Sequence, residues 1–154
     1  MRILTSPNPM LRKVAEPVGT VTLEIKRIME QMHYTMRLSK GIGLAAPQVG
    51  ILKRIIIINI GNHGIIEQPL MMADPVIIKK SVEQFTYREG CLSLPNKFFR
   101  ISRPQSINVE YTNQHNERLC IHAKNLMATC IQHEMDHLDG VLFTDHLLKK
   151  SGAA

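Results

Sequence analysis

The sequence predicts an α+β domain, with small antiparallel or mixed β-sheets packed around a helix near residue 130. Three observations lead there. Apolar residues recur at helical spacing between residues 23 and 36. Several short β-branched runs, separated by turn residues, fill positions 54 to 122. A second helical pattern follows at 125–138, closed by Gly140. A helix, then several strands, then a helix is the order of a segregated α+β chain, not of alternating βαβ units. With 154 residues the chain is long enough for one domain with a proper core, expected to span 1–154.

Residues 1–20 hold Pro7, Pro9 and Pro17 and read as an extended arm with turns. From 22 to 39, Leu23, Ile25, Ile28, Met29, Met32 and Met36 form a helical stripe, and Gly41 would stop that helix. Its methionines suit adaptable core filling better than a binding surface. The run GIGLAAPQVG at 41–50 has too much Gly, Ala and Pro for an ordinary helix or strand interior. Residues 54–60 form an apolar, β-branched strand, followed by a turn at Gly61-Asn62-His63-Gly64. Residues 70–78 make a strand interrupted by Pro75, and 82–87 a third that leads into EGCLSLP at 89–95. Residues 107–112 and 118–122 read as a hairpin around Asn113 to Asn116. In the last helix Asn125 is the expected N-cap, and Leu126, Cys130, His133 and His137 the buried stripe.

Composition narrows the function classes. Lys and Arg number 19 against 13 Asp and Glu, with short clusters at Arg12-Lys13, Lys79-Lys80 and Lys149-Lys150. Such scattered charge serves solubility, and without a basic stripe interleaved with aromatics RNA recognition is a minor hypothesis and DNA is not expected. No apolar run could span a membrane, and the start lacks the layout of a signal peptide. Three cysteines make no disulfide framework, so a reducing, cytoplasmic setting is expected.

The stretch QHEMDHLDG at 132–140 carries the chemistry. His133 and His137 stand one helical turn apart and can bind one metal ion, and the neighbouring Glu134 can handle the proton of an attacking water. The plainer reading is a pair of hydrogen-bonded core histidines, so context has to decide. A catalytic metal needs a third ligand. A histidine six residues beyond the second is ruled out, since that position is Phe143, and Glu134 is the last glutamate of the chain. The ligand must lie upstream. Cys130, one turn before His133, and Cys91, in a Gly-Cys loop, are both open by spacing, while Cys120 reads as a buried strand residue.

Three segments together resolve the choice by resemblance. GIGLAAPQ at 41–48, EGCLS at 89–93 and QHEMDH at 132–137 resemble the three signature motifs of peptide deformylases, in their usual order. The likeness runs from residue 11 to 147. It implies an enzyme that removes the N-formyl group from newly made proteins beginning with formyl-methionine and releases formate. It implies a central helix carrying the HExxH motif, with Cys91, His133 and His137 holding one divalent metal, Fe²⁺ in the cell with Zn²⁺ or Ni²⁺ substituting. Glu134 would be general base and then acid, and Gln48 with the backbone N–H of Leu92 would bind the oxyanion. Backbone at Ile42, Gly43 and Leu44 and the segment at Glu89 and Gly90 would contact the peptide. The methionine side chain would enter an apolar pocket near Ile42, Leu126, Cys130 and His133.

Two departures from the family pattern stand out. Where many relatives have Ile-Asn-Pro, this chain has Ala73-Asp74-Pro75, a carboxylate in place of an amide. Many bacterial members also continue into a long C-terminal helix beyond the position of His146, whereas this sequence stops about eight residues later. In some relatives that helix docks on the ribosome, so ribosome contact by that route is in doubt. The rival readings are a deformylase-like metallopeptidase and a catalytically silent metal-binding relative.

Overall fold

The computed structural model describes residues 1–61 and 68–147. The expected turn at Gly61-Asn62-His63-Gly64, but for Gly61, and the Lys149-Lys150 cluster lie outside those residues. The α+β class is as expected. Helix α1 spans Leu23–Leu38 and helix α2 spans Asn125–Leu138. Strands β1 (Gly43–Ala45), β2 (Ile55–Ile58), β3 (Leu70–Lys80), β6 (Ser106–Thr112) and β7 (Arg118–Lys124) form one antiparallel sheet in the order β1-β2-β3-β6-β7. Strands β4 (Gln84–Cys91) and β5 (Leu94–Pro104) form a separate antiparallel ribbon.

Strand β2 shows why its sequence is apolar at every position. Ile56 and Ile58 pack toward α2, together with Met72, Val109, Ile131 and Leu138. Ile55 and Ile57 pack toward α1, against Met29, Met32 and Met36. A strand with a helix on each face buries both of its side-chain rows, so alternation disappears. Each isoleucine contributes about 1.5–3 kcal/mol on full burial. The α1 methionines are core, as their spacing predicts.

Helix α2 lies between the large sheet and the ribbon, touching β1, β2 and β7 on one side and β4 and β5 on the other. Its burial exceeds the single stripe read from the sequence. Ala128, Thr129, Ile131, Gln132, Glu134 and Leu138 are buried as well as Cys130, His133 and His137, while Leu126 is half-buried. The N-cap is corrected too. The cap position is Lys124, without a side-chain bond, and Asn125 adopts a left-handed φ of 52° and accepts a hydrogen bond from Gln105 Nε2 instead. At the far end Gly140 has φ 72°, and a Cβ there would strike the Arg12 carbonyl, so only glycine lets the arm cross the helix end.

Three further expectations shift in detail. Strand β3 runs through Pro75, but its register with β6 slips between Ala73 and Val76, where Pro75 cannot donate to the ladder. Cys91 is the last residue of β4, not part of a loop. The 41–50 run divides into β1 and a 3₁₀ turn over Ala46–Val49 that ends on Gly50 at φ 82°. The Asp74 carboxylate accepts from the N–H of Val18 (2.8 Å) and of Gly19 (2.9 Å), tying the arm to β3. An asparagine has one acceptor oxygen for those two donors.

Candidate metal centre

Elements distant in sequence build the centre. Helix α2 carries His133 and His137, the end of β4 carries Cys91, and the 3₁₀ turn after β1 carries Gln48. One donor atom from each of Cys91, His133 and His137 lies within 4.8 Å of the others. Cys91 Sγ is 3.3 Å from His137 Nε2, and the two imidazole centroids are 5.3 Å apart. A thiolate and two imidazoles from one strand and one helix match the donor set of a four-coordinate site with one position open. Glu134 stands outside that set. Its Oε2 is buried and has no hydrogen-bond partner among the described residues, as do His137 Nδ1 and Thr129 Oγ1. An unpartnered carboxylate oxygen beside a metal site suits a base waiting for a water.

Electrostatics separates the two histidines. Burial alone would lower the His133 pKa, but its bonds to Cys91 and Glu89, with the Glu134 charge, raise it to about 10. Burial, then the charge on His133, pushes His137 down to about 3. Burial raises the Glu134 carboxyl to about 7, aided by Glu89 and opposed by His133. His133 therefore holds a proton at neutral pH in the metal-free protein, and a metal must displace it. Apparent metal affinity should rise as pH is raised, about tenfold per unit for each proton released, until the His133 value near 10 is passed. Metal titration in weakly buffered solution, following released protons, checks this. Uptake without proton release at pH 7 would contradict it.

Glu89 lines the cleft with Gly90, and its side chain has a further part that the sequence did not suggest. It is buried, and Arg103 clamps it with Nε to Oε2 at 2.7 Å and Nη2 to Oε1 at 3.0 Å. Its Oε1 is 2.8 Å from His133 Nδ1. This carboxylate turns the His133 ring so that Nε2 faces the other ligands, the usual outer support of a metal-binding imidazole. Arg103 in turn donates from Nη1 to Asp136 Oδ2 (2.9 Å), which also meets His146 Nε2 (2.8 Å). The sequence reading missed Arg103, Asp136 and His146 as parts of the site. Only Asp136 had a local signal, standing just before His137 in the motif.

Gln48 is buried at the floor of the cleft. Its Oε1 accepts from the Ala45 N–H (2.9 Å), and its Nε2 donates to Ser93 Oγ (3.0 Å) and lies 3.6 Å from Cys91 Sγ. Ser93, also missed, thus sets the orientation of the amide. A Cβ on Gly43 would sit 2.7 Å from Glu134 Oε1, so glycine at 43 lets β1 run directly beside the carboxylate.

A cleft of about 630 Å³ opens over these groups. Ile42, Gly43, Gln48, Glu89, Gly90, Leu92, Leu126, Cys130, His133 and Glu134 line it, so most of the expected site residues meet in one place. Leu44 and His137 are the exceptions. His137 is buried beneath the cleft beside Cys91. The Leu44 side chain is fully buried against α1, so only its backbone can face a ligand. Phe143 packs against the His133 ring at 5.6 Å between centroids. Burial pushes the Cys130 thiol up to about 12, with Glu134 adding to the rise, so Cys130 is an apolar wall at neutral pH. Accordingly Cys91→Ser should strip or weaken the metal site, while Cys130→Ser should leave it occupied. Metal analysis of the two purified variants decides, and the reverse outcome would reassign the thiolate.

Comparison with known proteins follows the same lines. Residues 1–152 match the family described as Polypeptide deformylase. A peptide deformylase of Pelagibacter ubique is 47% identical over 151 residues, covering 97% of this chain and 88% of that protein. One from Rhizobium meliloti is 41% identical over 147 residues, covering 96% and 84%. A crystal structure of peptide deformylase from Ehrlichia chaffeensis superposes with a TM-score of 0.91 at 35% identity, over 99% of this chain and 92% of that one. A probable peptide deformylase from synechococcus phage S-SSM7 gives 0.91 at 38% identity, over 95% and 99%.

Proposed function

The chain belongs to the polypeptide deformylase family, and from that membership and the geometry of the cleft we propose which of its residues carry the reaction. Its activity is removal of the N-formyl group from nascent polypeptides, and it is a metalloenzyme. We assign the metal to Cys91, His133 and His137, the substrate channel to the cleft above them, and the catalytic unit to residues 1–154 as one domain. The observation that carries the assignment is the meeting of the three donors within 4.8 Å beside a buried carboxylate without a partner. A thiolate with two imidazoles can hold Fe²⁺, Zn²⁺ or Ni²⁺, and the choice of Fe²⁺, with Zn²⁺ or Ni²⁺ substituting, is carried over from the family resemblance.

When bound, the metal supplies Lewis acidity to the formyl oxygen and to the attacking water. The chain does the rest. The edge of β1, which among the described residues pairs only with β2, can take an extended peptide as a further strand beside Gly43. Ile42, Leu126 and Cys130 offer an apolar wall to the methionine side chain, and burying that side chain stabilises the complex by about 1.5–3 kcal/mol. Glu134 removes a proton from water, the formyl carbon is attacked, and the formyl oxygen gains negative charge. Gln48 Nε2 and the Leu92 N–H meet that charge at the floor of the cleft, where Gln48, His133 and Glu134 are buried. Glu134 then returns the proton to the departing amine, giving formate and a free N-terminus. Glu89 and Arg103 keep the His133 ring fixed throughout.

Formate release from a formyl-Met peptide, compared with cleavage of its unformylated counterpart and repeated with a chelator, tests the reading. Release that depends on metal and on the formyl group is expected. Internal cleavage of the unformylated peptide would point to a metallopeptidase, and no turnover with metal bound to a silent relative. Among the described residues no helix is long and apolar enough to cross a membrane.

A further inference from the structure

The mouth of the cleft carries positive charge that the reaction described above does not use. Lys40 and Arg88 both line it and both are exposed. Arg88 is held in place, because its guanidinium carbon lies 5.0 Å from the centroid of the Phe98 ring. Phe98 is itself seated on Gly90, where a Cβ would come within 2.6 Å of the ring. Directly across the ribbon from Arg88 stands Arg100, and Lys97 is next to Phe98. Like charges placed opposite one another weaken a strand pair. Among the described residues, none of Lys40, Arg88, Lys97 and Arg100 forms an ion pair. The two carboxylates that line the cleft give no compensation at the rim, since Glu89 is buried against Arg103 and Glu134 is buried at the floor.

We propose that Arg88, assisted by Lys40, forms a cationic subsite at the mouth of the cleft that favours formylated chains with an acidic residue soon after the initiating methionine. This rests on the deformylase reading and adds a charge preference to it. A peptide laid along β1 with its formyl group at the metal advances about 3.3 Å per residue, so the next few side chains pass between β1 and the ribbon. A carboxylate there meets two unpaired cations, one of them already ordered by stacking on Phe98. A lysine there meets like charge. Arg88 shares its cavity with Gly43 and Gln48, which favours a peptide carboxylate over RNA phosphate as its partner.

The test measures kcat/KM for formate release from formyl-Met peptides bearing Glu, Gln or Lys at the second, third or fourth position. The metal-loaded enzyme is used at low and at high salt. Glu should exceed Lys by about 3–10-fold at one or more positions at low salt, and the ratio should shrink toward one as salt screens the charges. In Arg88→Glu the ratio should invert, in Arg88→Gln it should flatten, and in Arg88→Lys its sign should persist. Because the readout is a ratio within one preparation, partial loss of fold or metal cancels. Equal rates for Glu and Lys at all three positions, alongside brisk formate release, would overturn the subsite and leave the deformylase reading intact. So would a Glu preference unchanged in Arg88→Glu. Absence of formate release from every peptide would overturn both. If the ratio is flat but Arg88→Glu loses cosedimentation with ribosomes, the cations serve RNA phosphate and the peptide subsite is refuted.

Discussion

Glu134→Gln is expected to retain the metal and lose about 10²–10⁴-fold in kcat, the contribution typical of a positioned general acid–base. Glutamine keeps the size of the side chain beside Gly43, where the fit is tight, so the effect should be on proton transfer and not on packing. The carboxyl lies outside the donor set, so metal content should match the wild type. The pH dependence carries a second signature. Burial holds the Glu134 carboxyl up at about 7 in the metal-free protein, and a nearby dication lowers it, since an opposite charge favours the ionised form. A base must be ionised to act, so wild-type kcat/KM should fall as pH drops through a value at or below about 7. That limb should vanish in the variant. Metal analysis, formate release and a pH profile on the same samples decide the matter, and an emptied site would show that Glu134 is a ligand.

Gln48→Leu should lower kcat by about 10²–10³, the usual effect of losing one oxyanion donor, with a much smaller change in KM. From the sequence alone the residue is expected to serve the transition state and not the fold. The structure adds a structural duty. Gln48 Oε1 is the acceptor for the Ala45 N–H, and Nε2 donates to Ser93 Oγ. Leucine would leave those buried groups without partners, at a cost of about 1–3 kcal/mol. Melting temperature should therefore fall by several degrees. Kinetics measured well below the melting transition separate the two effects. Near-normal kcat in a destabilised but metal-loaded variant would leave Gln48 a purely structural role.

Much of the centre was legible because its signals are local. His133, Glu134 and His137 lie within one helical turn, and a helix fixes their relative direction whatever surrounds it. The α1 methionines declared themselves by spacing, and β2 by its unbroken isoleucines. Strand β5 was not foreseen. In the two-stranded ribbon, six consecutive positions of β5, residues 95–100, are exposed, so no alternation marks that stretch. The N-cap at Asn125 failed for a related reason, since tertiary bonding to Gln105 outweighed the local preference.

By itself the sequence determined the α+β class, the turn of α2 that carries His133, Glu134 and His137 and, through three motifs, the family and its reaction. Spacing left Cys91 and Cys130 open and the resemblance chose Cys91, which the tertiary structure brings to the histidines. Only the tertiary structure decided that Glu89 supports His133 through Nδ1. It also decided that Gln48 is anchored as well as aimed, and that Arg88 stands over Phe98 at the rim. Each of these joins residues from separate elements, such as β4 with β5 and α2 for Glu89, Arg103 and Asp136. Sequence periodicity specifies which face of an element is buried. Which buried groups then meet depends on how the faces dock, and in a low-dielectric interior that meeting sets whether a carboxylate is a base, a clamp or a ligand.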